Sequence, residues 1–231
     1  MNKEKNTYTL IYASVMVILV ALILAYISQA LRPQQARNEA IDKKRQMLAS
    51  LNIASTNQNA ETRYKEAIVD SYLVNSEGKK VEGDAFETDL SGEWQKPLAE
   101  RKYPVFEASV NGQKKYILSL RGAGLWGPIW GFISLNDDRN TVFGASFGHE
   151  GETPGLGAEI EKPAFAHQFP KKRIFNSAGQ FTSIAIVKPG KKADGKDYVD
   201  GVSGGTITSR GVDAMLHASL EFYVPFLLEK E

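Results

Sequence analysis

The chain has 231 residues and a formal net charge of +1, a length that fits one good-sized domain with a small appendage. A near-neutral chain argues against a nucleic-acid partner, which would require a strongly basic surface. The absence of cysteine excludes disulfides, thiolate metal sites and cysteine nucleophiles, and with only three histidines we expect no metal site.

An uncharged and largely apolar run follows the first few residues. Residues 6–31 contain no charged side chain, and as a helix they would span roughly 39 Å, enough to cross a membrane with some tilt. A cleaved signal peptide would have a shorter apolar region, so the run favours a permanent anchor. We therefore predict a short tail over residues 1–6 and a transmembrane helix over 7–31. The basic residues on either side leave its orientation open.

A polar stretch separates this span from the rest of the chain. Residues 32–59 are predicted to form a stalk helix and a linker. Pro33 suits the first turn of a new helix, and apolar residues between Ile41 and Leu51 recur on one face of the segment 34–51. The polar run 55–59 is typical of a loop.

Strand patterns then dominate the predicted domain, residues 60–231. After a short helix over 60–70, Asn111-Gly112 lies between two strand-like runs, which is a strong hairpin signal. The predicted strands cover residues 105–110, 115–120, 131–135, 141–147 and 182–187. A helix from about Arg210 to Leu228 closes the chain. This order predicts an α+β fold, an antiparallel sheet with flanking helices.

Three glycine-rich segments carry side chains suited to a ligand. Segment 203–209 has four hydroxyl residues and two glycines before a helix, where backbone N–H groups can bind a phosphate; it can also be a simple helix cap. Segment 122–131 has two tryptophans, which fit either a core turn or the wall of a planar-ligand site. Segment 150–157 joins a carboxylate and a hydroxyl to flexible backbone. Lys188, at the end of a strand, is a further candidate.

Taken together and in this order, the segments resemble a known family, the C subunit of the Na+-translocating NADH:quinone oxidoreductase. The G subunit of Rnf-type electron-transfer complexes is a close cousin. The resemblance covers nearly the whole chain. It is carried by the N-terminal anchor, the helix over 41–45, Gly124-Leu125-Trp126, Gly151-Glu152-Thr153-Pro154-Gly155-Leu156-Gly157 and the run 200–209.

The resemblance implies that FMN is attached covalently, through its phosphate, to the hydroxyl of Thr208. This is the second threonine of the family's S-G-A-T-x-T pattern, and Thr206 is the nearby rival. Gly205 replaces the usual alanine, which we expect to loosen the turn without removing the acceptor. The hydroxyl is expected on a mobile loop that a flavin transferase can reach, with FAD as the donor and AMP as the product.

The resemblance also implies the remaining site residues. The predicted cofactor-binding set is Thr208, Thr206, Gly205, Ser203, Leu125, Trp126, Glu152, Thr153, Gly155, Leu156, Gly157 and Lys188. Of these, Leu125, Trp126, Thr153, Gly155 and Leu156 are expected to line the isoalloxazine ring, and Lys188 to approach the flavin or its phosphate. No residue is assigned a catalytic role.

The implied function is that of an electron-relay flavoprotein within a membrane complex that couples NADH oxidation and ubiquinone reduction to Na+ export. Its implied partners are the other subunits, the flavin transferase and membrane lipid, and its domain would face the periplasm from the inner membrane. Two alternatives stay open: the G subunit of an Rnf-type complex, or a membrane-anchored ligand-binding or sensor domain without redox turnover. Hydrolysis at Ser203 is disfavoured because the histidines lie far from it in sequence, although Gly201-Val202-Ser203-Gly204-Gly205 has the G-x-S-x-G spacing.

Overall fold

The computed structural model describes residues 6–229, so residues 1–5 of the predicted tail lie outside the described part of the chain. Within it the chain divides into two compact units, one ending at Lys43 and the other beginning at Lys44. The first helix, α1 (Asn6–Ser50), begins in the first unit and ends in the second.

The first unit consists of the apolar part of α1. This helix is long and apolar enough to cross a membrane, with a mean hydropathy of 2.8 over its most apolar stretch. Its large apolar side chains between Leu10 and Leu31 are exposed. Pro33 lies inside this helix and does not begin a new one. The separate stalk helix predicted from residue 34 is therefore the continuation of α1, because proline can be accommodated inside a long helix at the loss of one hydrogen bond.

The second unit contains every other element. The helices are α2 (Ala60–Ala67), α3 (Leu90–Gln95), α4 (Pro163–Ala166) and α5 (Thr206–Leu228), with 3-10 turns at Leu98–Glu100 and Gly157–Glu161. The strands are β1 (Ile68–Val74), β2 (Lys80–Val81), β3 (Tyr103–Val110), β4 (Gln113–Ala123), β5 (Pro128–Asn136), β6 (Val142–His149), β7 (Ala185–Val187) and β8 (Tyr198–Asp200).

Six strands form one antiparallel sheet in the order β2-β1-β3-β4-β5-β6, which confirms the predicted fold class. The β3–β4 hairpin turns at Asn111 and Gly112, whose φ angles of 52° and 76° are those a tight two-residue hairpin turn requires. A short parallel pair, β7 and β8, lies outside this sheet; β7 lies within the strand predicted over 182–187, whereas β8 and the pairing were not predicted.

Both faces of the sheet are buried. Along β3, Val105 belongs to the core cluster that contains the apolar face of α5, whereas Phe106 belongs to the cluster that contains Met47 and Leu48 at the end of α1. Successive strand residues point to opposite faces, so a sheet covered on both sides takes apolar residues in succession. The central strands accordingly read as continuous apolar runs.

Helix α5 is fixed on one face of the sheet by its apolar stripe. Val212, Leu216, Leu220 and Tyr223 have the spacing of one helix face and are fully buried, as the sequence predicts. The hydroxyl of Tyr223 donates to the carbonyl of Pro104 at 2.9 Å. Nearer the other end, a Cβ atom at Gly211 would overlap the carbonyl oxygen of Ala123, so the N-terminal part of α5 lies against the end of β4, and this end carries the candidate site.

The central strands differ from the predicted bounds by up to three residues at an end, and three other elements differ in ways that matter for the site or the fold. Strand β1 replaces the end of the helix predicted over 60–70. The strand predicted over 182–187 is confined to Ala185–Val187, because Ser183 adopts a left-handed backbone conformation with φ of 58°. Helix α5 begins at Thr206, four residues earlier than predicted, so the threonines of segment 203–209 lie in its first turn.

Candidate functional site

The carboxyl group of Glu152 brings the three glycine-rich segments together. Its Oε1 atom accepts hydrogen bonds from the backbone N–H groups of Leu125, at 2.7 Å, and Trp126, at 2.9 Å. Its Oε2 atom accepts the hydroxyl of Thr208, with an oxygen–oxygen distance of 2.5 Å. One side chain therefore joins the loop after β4, the loop after β6 and the first turn of α5.

Glu152 is a buried carboxylate, with 5% of its surface exposed. Burial alone raises the pKa of a carboxyl group. Here the hydrogen bonds from Thr208, Trp126 and Leu125, together with the nearby His149, outweigh burial and bring the pKa of Glu152 below its ordinary value. The site therefore contains a fixed negative charge at neutral pH.

Two glycines make room for this carboxylate. A Cβ atom at Gly157 would overlap Glu152 Oε2 and Thr208 Oγ1, and a Cβ atom at Gly124 would overlap Glu152 Oε1. Any larger residue at either position would push the carboxylate away from its donors. The contacts of Glu152 and Thr208 therefore require glycine at position 157, whether or not this residue also contacts a cofactor.

His149 supports the loop from the end of β6. Its Nδ1 atom accepts the backbone N–H of Glu152 at 3.2 Å, and its Nε2 atom lies 3.5 Å from the carboxylate of Glu161. Sequence reasoning missed this role. The available signal was the position of His149 directly before segment 150–157, two residues after a strand predicted to end at residue 147.

Thr208 is buried in the first turn of α5, with 1% of its surface exposed. This corrects the expectation that its hydroxyl lies on a mobile, accessible loop. The physical reason is that the contact with Glu152 and the docking of α5 outweigh the low helix propensity of threonine. Thr206 and Ser203, in contrast, are exposed.

A tight turn precedes the helix. The N–H of Gly205 donates to the carbonyl of Val202 at 3.1 Å, and Gly204 has a φ of +78°. A Cβ atom at Gly205 would lie 3.2 Å from the side chain of Val202 and 3.3 Å from the Cα of Gly157. Glycine at 205 therefore sits in a closely packed turn, and the loosening expected from the loss of a methyl group stays a prediction.

The start of α5 also offers unpaired backbone donors. Gly205 is its N-cap, and within the described residues no side chain caps this helix end. The first N–H groups of a helix lack intrahelical partners and form its positive end. Exposed hydroxyls lie at the same end, on Ser203 and Thr206.

Exposed apolar side chains surround this polar centre. The exposed fractions are 47% for Leu125, 68% for Trp126, 43% for Leu156 and 54% for Ile207. Thr153 and Gly155 are exposed as well, and the space beside the Cα of Gly155 is open. Ile207 was missed from the sequence, although an apolar residue between two threonines was a visible signal.

Lys188 lies directly after β7 and is exposed. The carbonyl of Val187, its neighbour, accepts the N–H of Gly201 at 2.7 Å, which brings the end of β7 to the segment that leads into α5. The backbone of Lys188 therefore lies near the segment that leads into α5. Its contact with a cofactor stays a prediction.

The chain matches known proteins in sequence and in structure. The family model described as FMN-binding domain matches residues 124–221, which contain Leu125, Trp126, Glu152 and Thr208. The C subunit of the Na(+)-translocating NADH-quinone reductase of Pseudomonas aeruginosa is 30% identical, over 94% of this chain and 92% of that protein. The corresponding protein of Haemophilus ducreyi is 29% identical over 92% and 88%.

Solved structures show the same relationship. The crystal structure of the C subunit of the Na(+)-translocating NADH-quinone reductase from Parabacteroides distasonis is 55% identical, with a TM-score of 0.83 over 87% of this chain and 98% of that one. The structure of Shewanella oneidensis NqrC, at 24% identity and a TM-score of 0.67, shares the fold.

Proposed function

This chain belongs to the C-subunit family of the Na(+)-translocating NADH-quinone reductases, and from that premise we propose that it is a membrane-anchored flavoprotein that carries FMN covalently on Thr208 and relays electrons. The observation that carries the proposal is the Glu152 carboxylate, which joins the Trp126 loop to Thr208. These two hydrogen bonds hold the loop with the exposed ring of Trp126 close to the hydroxyl of Thr208. A site for a flavin and its phosphate needs both groups.

The residues present fit both ends of FMN. At the phosphate end, the uncapped start of α5 supplies N–H groups, and the helix dipole stabilises an anion there by about 0.3–1 kcal/mol. Ser203, Gly205 and Thr206 flank this position, and we propose that Lys188 contributes positive charge to it.

At the other end, the ring would pack on exposed apolar groups. Leu125, Trp126 and Leu156 are exposed large hydrophobic residues beside the polar centre, a pattern that marks a surface made for a partner or ligand. Thr153 and Gly155 complete the rim, and the open space beside Gly155 allows a flat ring to approach the backbone.

The bound flavin would supply the redox chemistry, while the chain holds and orients it. The run Gly122-Ala123-Gly124-Leu125-Trp126-Gly127 has the G-x-G-x-x-G spacing, but it joins the antiparallel strands β4 and β5 and opens no helix, so it lacks the strand–helix context of a nicotinamide-dinucleotide fingerprint. We therefore propose that the chain receives and passes on electrons within a complex of other subunits, with NADH and ubiquinone bound elsewhere. The apolar part of α1 would anchor it in the inner membrane lipid, with the domain on the periplasmic side.

A test of covalent attachment uses the full chain produced with and without a flavin transferase. Flavin fluorescence that migrates with the denatured protein on a gel is expected only with the transferase. Mass spectrometry of the tryptic peptide 197–210 should then place one FMN, less one water, on Thr208. Thr208→Ala should abolish the fluorescence and Thr206→Ala should retain it. A dark wild-type band, or the reverse pattern of the two variants, would refute the proposal.

A further inference from the structure

We propose that Glu152 accepts the hydroxyl proton of Thr208 when the phosphoester forms, so that this chain supplies the general base for its own modification. The inference rests on the proposed covalent attachment at Thr208. It adds the identity of the group that receives the proton. Its basis is the direct contact between Glu152 Oε2 and Thr208 Oγ1, at 2.5 Å.

The direct contact makes the Glu152 carboxylate the acceptor within reach of the proton. A threonine hydroxyl is a weak nucleophile until a base removes its proton, and a candidate base must lie within hydrogen-bonding distance of that proton. Thr208 is 1% exposed, and its hydroxyl hydrogen is directed at Glu152 Oε2. Glu152 is charged, buried and already accepts that hydrogen.

The carboxylate is also held in position for this role. Its second oxygen is fixed by the N–H groups of Leu125 and Trp126, so Oε2 alone is directed at the hydroxyl. Glycine at 124 and 157 leaves no side chain between the carboxylate and its partners. Thr206, which begins α5, is exposed, so Glu152 also distinguishes Thr208 from its rival.

The step balances without a redox change. With a flavin dinucleotide as the donor, the Thr208 Oγ1–H bond and the pyrophosphate P–O bond break, and a bond forms between Oγ1 and the flavin-bearing phosphorus. The nucleoside monophosphate leaves with the bridging oxygen, and the proton passes to Glu152 Oε2. The product oxygen has no hydrogen to donate, so a protonated Glu152 can donate to it.

Glu152→Gln is a conservative test because the amide keeps the shape of the side chain. Its oxygen can still accept from Leu125 and Trp126, and its NH2 group can donate to the Thr208 hydroxyl in the reverse direction. The variant therefore retains the packing and removes only the ability to take a proton. The matched control is Glu150→Gln, which changes an exposed carboxylate two residues earlier.

The experiment measures the initial rate of covalent flavin incorporation into the detergent-solubilised full chain, with purified flavin transferase and FAD, between pH 6 and pH 9. We expect Glu152→Gln to slow incorporation by about 100-fold or more, the usual contribution of a general base. Glu150→Gln should match the wild type. In Glu152→Gln the residual rate should rise with pH, since hydroxide then removes the proton. Circular dichroism checks the fold of each variant.

The outcomes separate the two proposals. His149, at the end of β6, is a titratable group beside Glu152, and it pairs with Glu161. The variant His149→Gln identifies any part of the pH profile of incorporation that comes from the His149–Glu161 pair. A wild-type chain that takes up no covalent flavin overturns the attachment itself. Normal attachment with a Glu152→Gln rate within about threefold of wild type overturns only the role of Glu152. A slow variant whose pH profile parallels the wild type also overturns that role, because it indicates positioning alone.

Discussion

Gly157 gives the sharpest test of how tightly the site is packed. In Gly157→Ala the added methyl group would overlap Glu152 Oε2 and Thr208 Oγ1, so the carboxylate or the first turn of α5 must move. Overpacking a closely packed site costs about 1–3 kcal/mol, and losing a hydrogen bond to a charged group costs about 1.5–3 kcal/mol. Because the two effects overlap, we expect the free energy of unfolding to fall by about 2–4 kcal/mol.

The matched control lies in the same loop. A Cβ atom at Gly151 would lie 3.9 Å from the nearest atom, the carbonyl oxygen of Trp126, so Gly151→Ala should change the free energy of unfolding by less than about 0.5 kcal/mol. Urea unfolding of the full chain in detergent, followed by circular dichroism, measures both variants. If Gly157→Ala is as stable as Gly151→Ala, the loop relaxes freely and the close-packing argument is refuted.

Three further changes test separate parts of the molecule. Thr208→Val removes a hydrogen bond that lowers the pKa of Glu152, so that pKa should rise, as carbon-13 NMR of the carboxyl group can show. Trp126→Ala removes a ring that is 68% exposed, so the free energy of unfolding should change by less than about 0.5 kcal/mol while the absorption spectrum of the attached flavin shifts. Glu107→Gln should lower the free energy of unfolding by about 1–3 kcal/mol, because Glu107 is buried and accepts the hydroxyl of Tyr72 at 2.6 Å.

The difference in free energy of unfolding between wild type and Glu107→Gln should also depend on pH. Burial raises the pKa of Glu107, but the hydrogen bonds from Tyr72 and Lys114 and the nearby charge of Lys80 bring it below its ordinary value. A lowered carboxyl pKa stabilises the fold above the unfolded-state pKa, and this stabilisation is lost as the pH falls through the folded-state pKa. The difference between wild type and Glu107→Gln should therefore narrow in acid.

Each of these expectations has a contrary result. An unchanged Glu152 pKa in Thr208→Val would mean that the hydroxyl contributes little to the charge of the site. An unchanged flavin spectrum in Trp126→Ala would place the ring away from the flavin. A constant stability difference between wild type and Glu107→Gln across the acid range would show that Glu107 does not titrate with a lowered pKa.

The sequence predicted the central strands well because their patterns are local. The Asn111-Gly112 turn fixes the β3–β4 hairpin through backbone conformation, and the apolar spacing of Val212, Leu216 and Leu220 fixes the buried face of α5. Strand β1 was missed because its first half is exposed and interrupted by polar residues, so it lacks the buried pattern of the central strands.

The details of the site were harder to predict, because they depend on contacts between distant residues. The run Thr206-Ile207-Thr208 has low helix propensity and reads as a loop, but tertiary contacts place it in a helix. Glu152 was predicted as a site residue. Its contact with Thr208 depends on how β5 and β6 align and on how α5 docks, and neither is encoded in local spacing.

The hydrogen bond between Glu152 and Thr208 has a consequence for quality control. It joins residues 56 positions apart, and the same carboxyl group reaches back 26 positions to Trp126. A chain whose last helix has not docked therefore lacks the assembled acceptor, although its sequence is complete. If Glu152 activates the hydroxyl as proposed, misfolded copies stay unmodified, and the flavin content of a preparation reports the fraction of chains that have completed their tertiary structure.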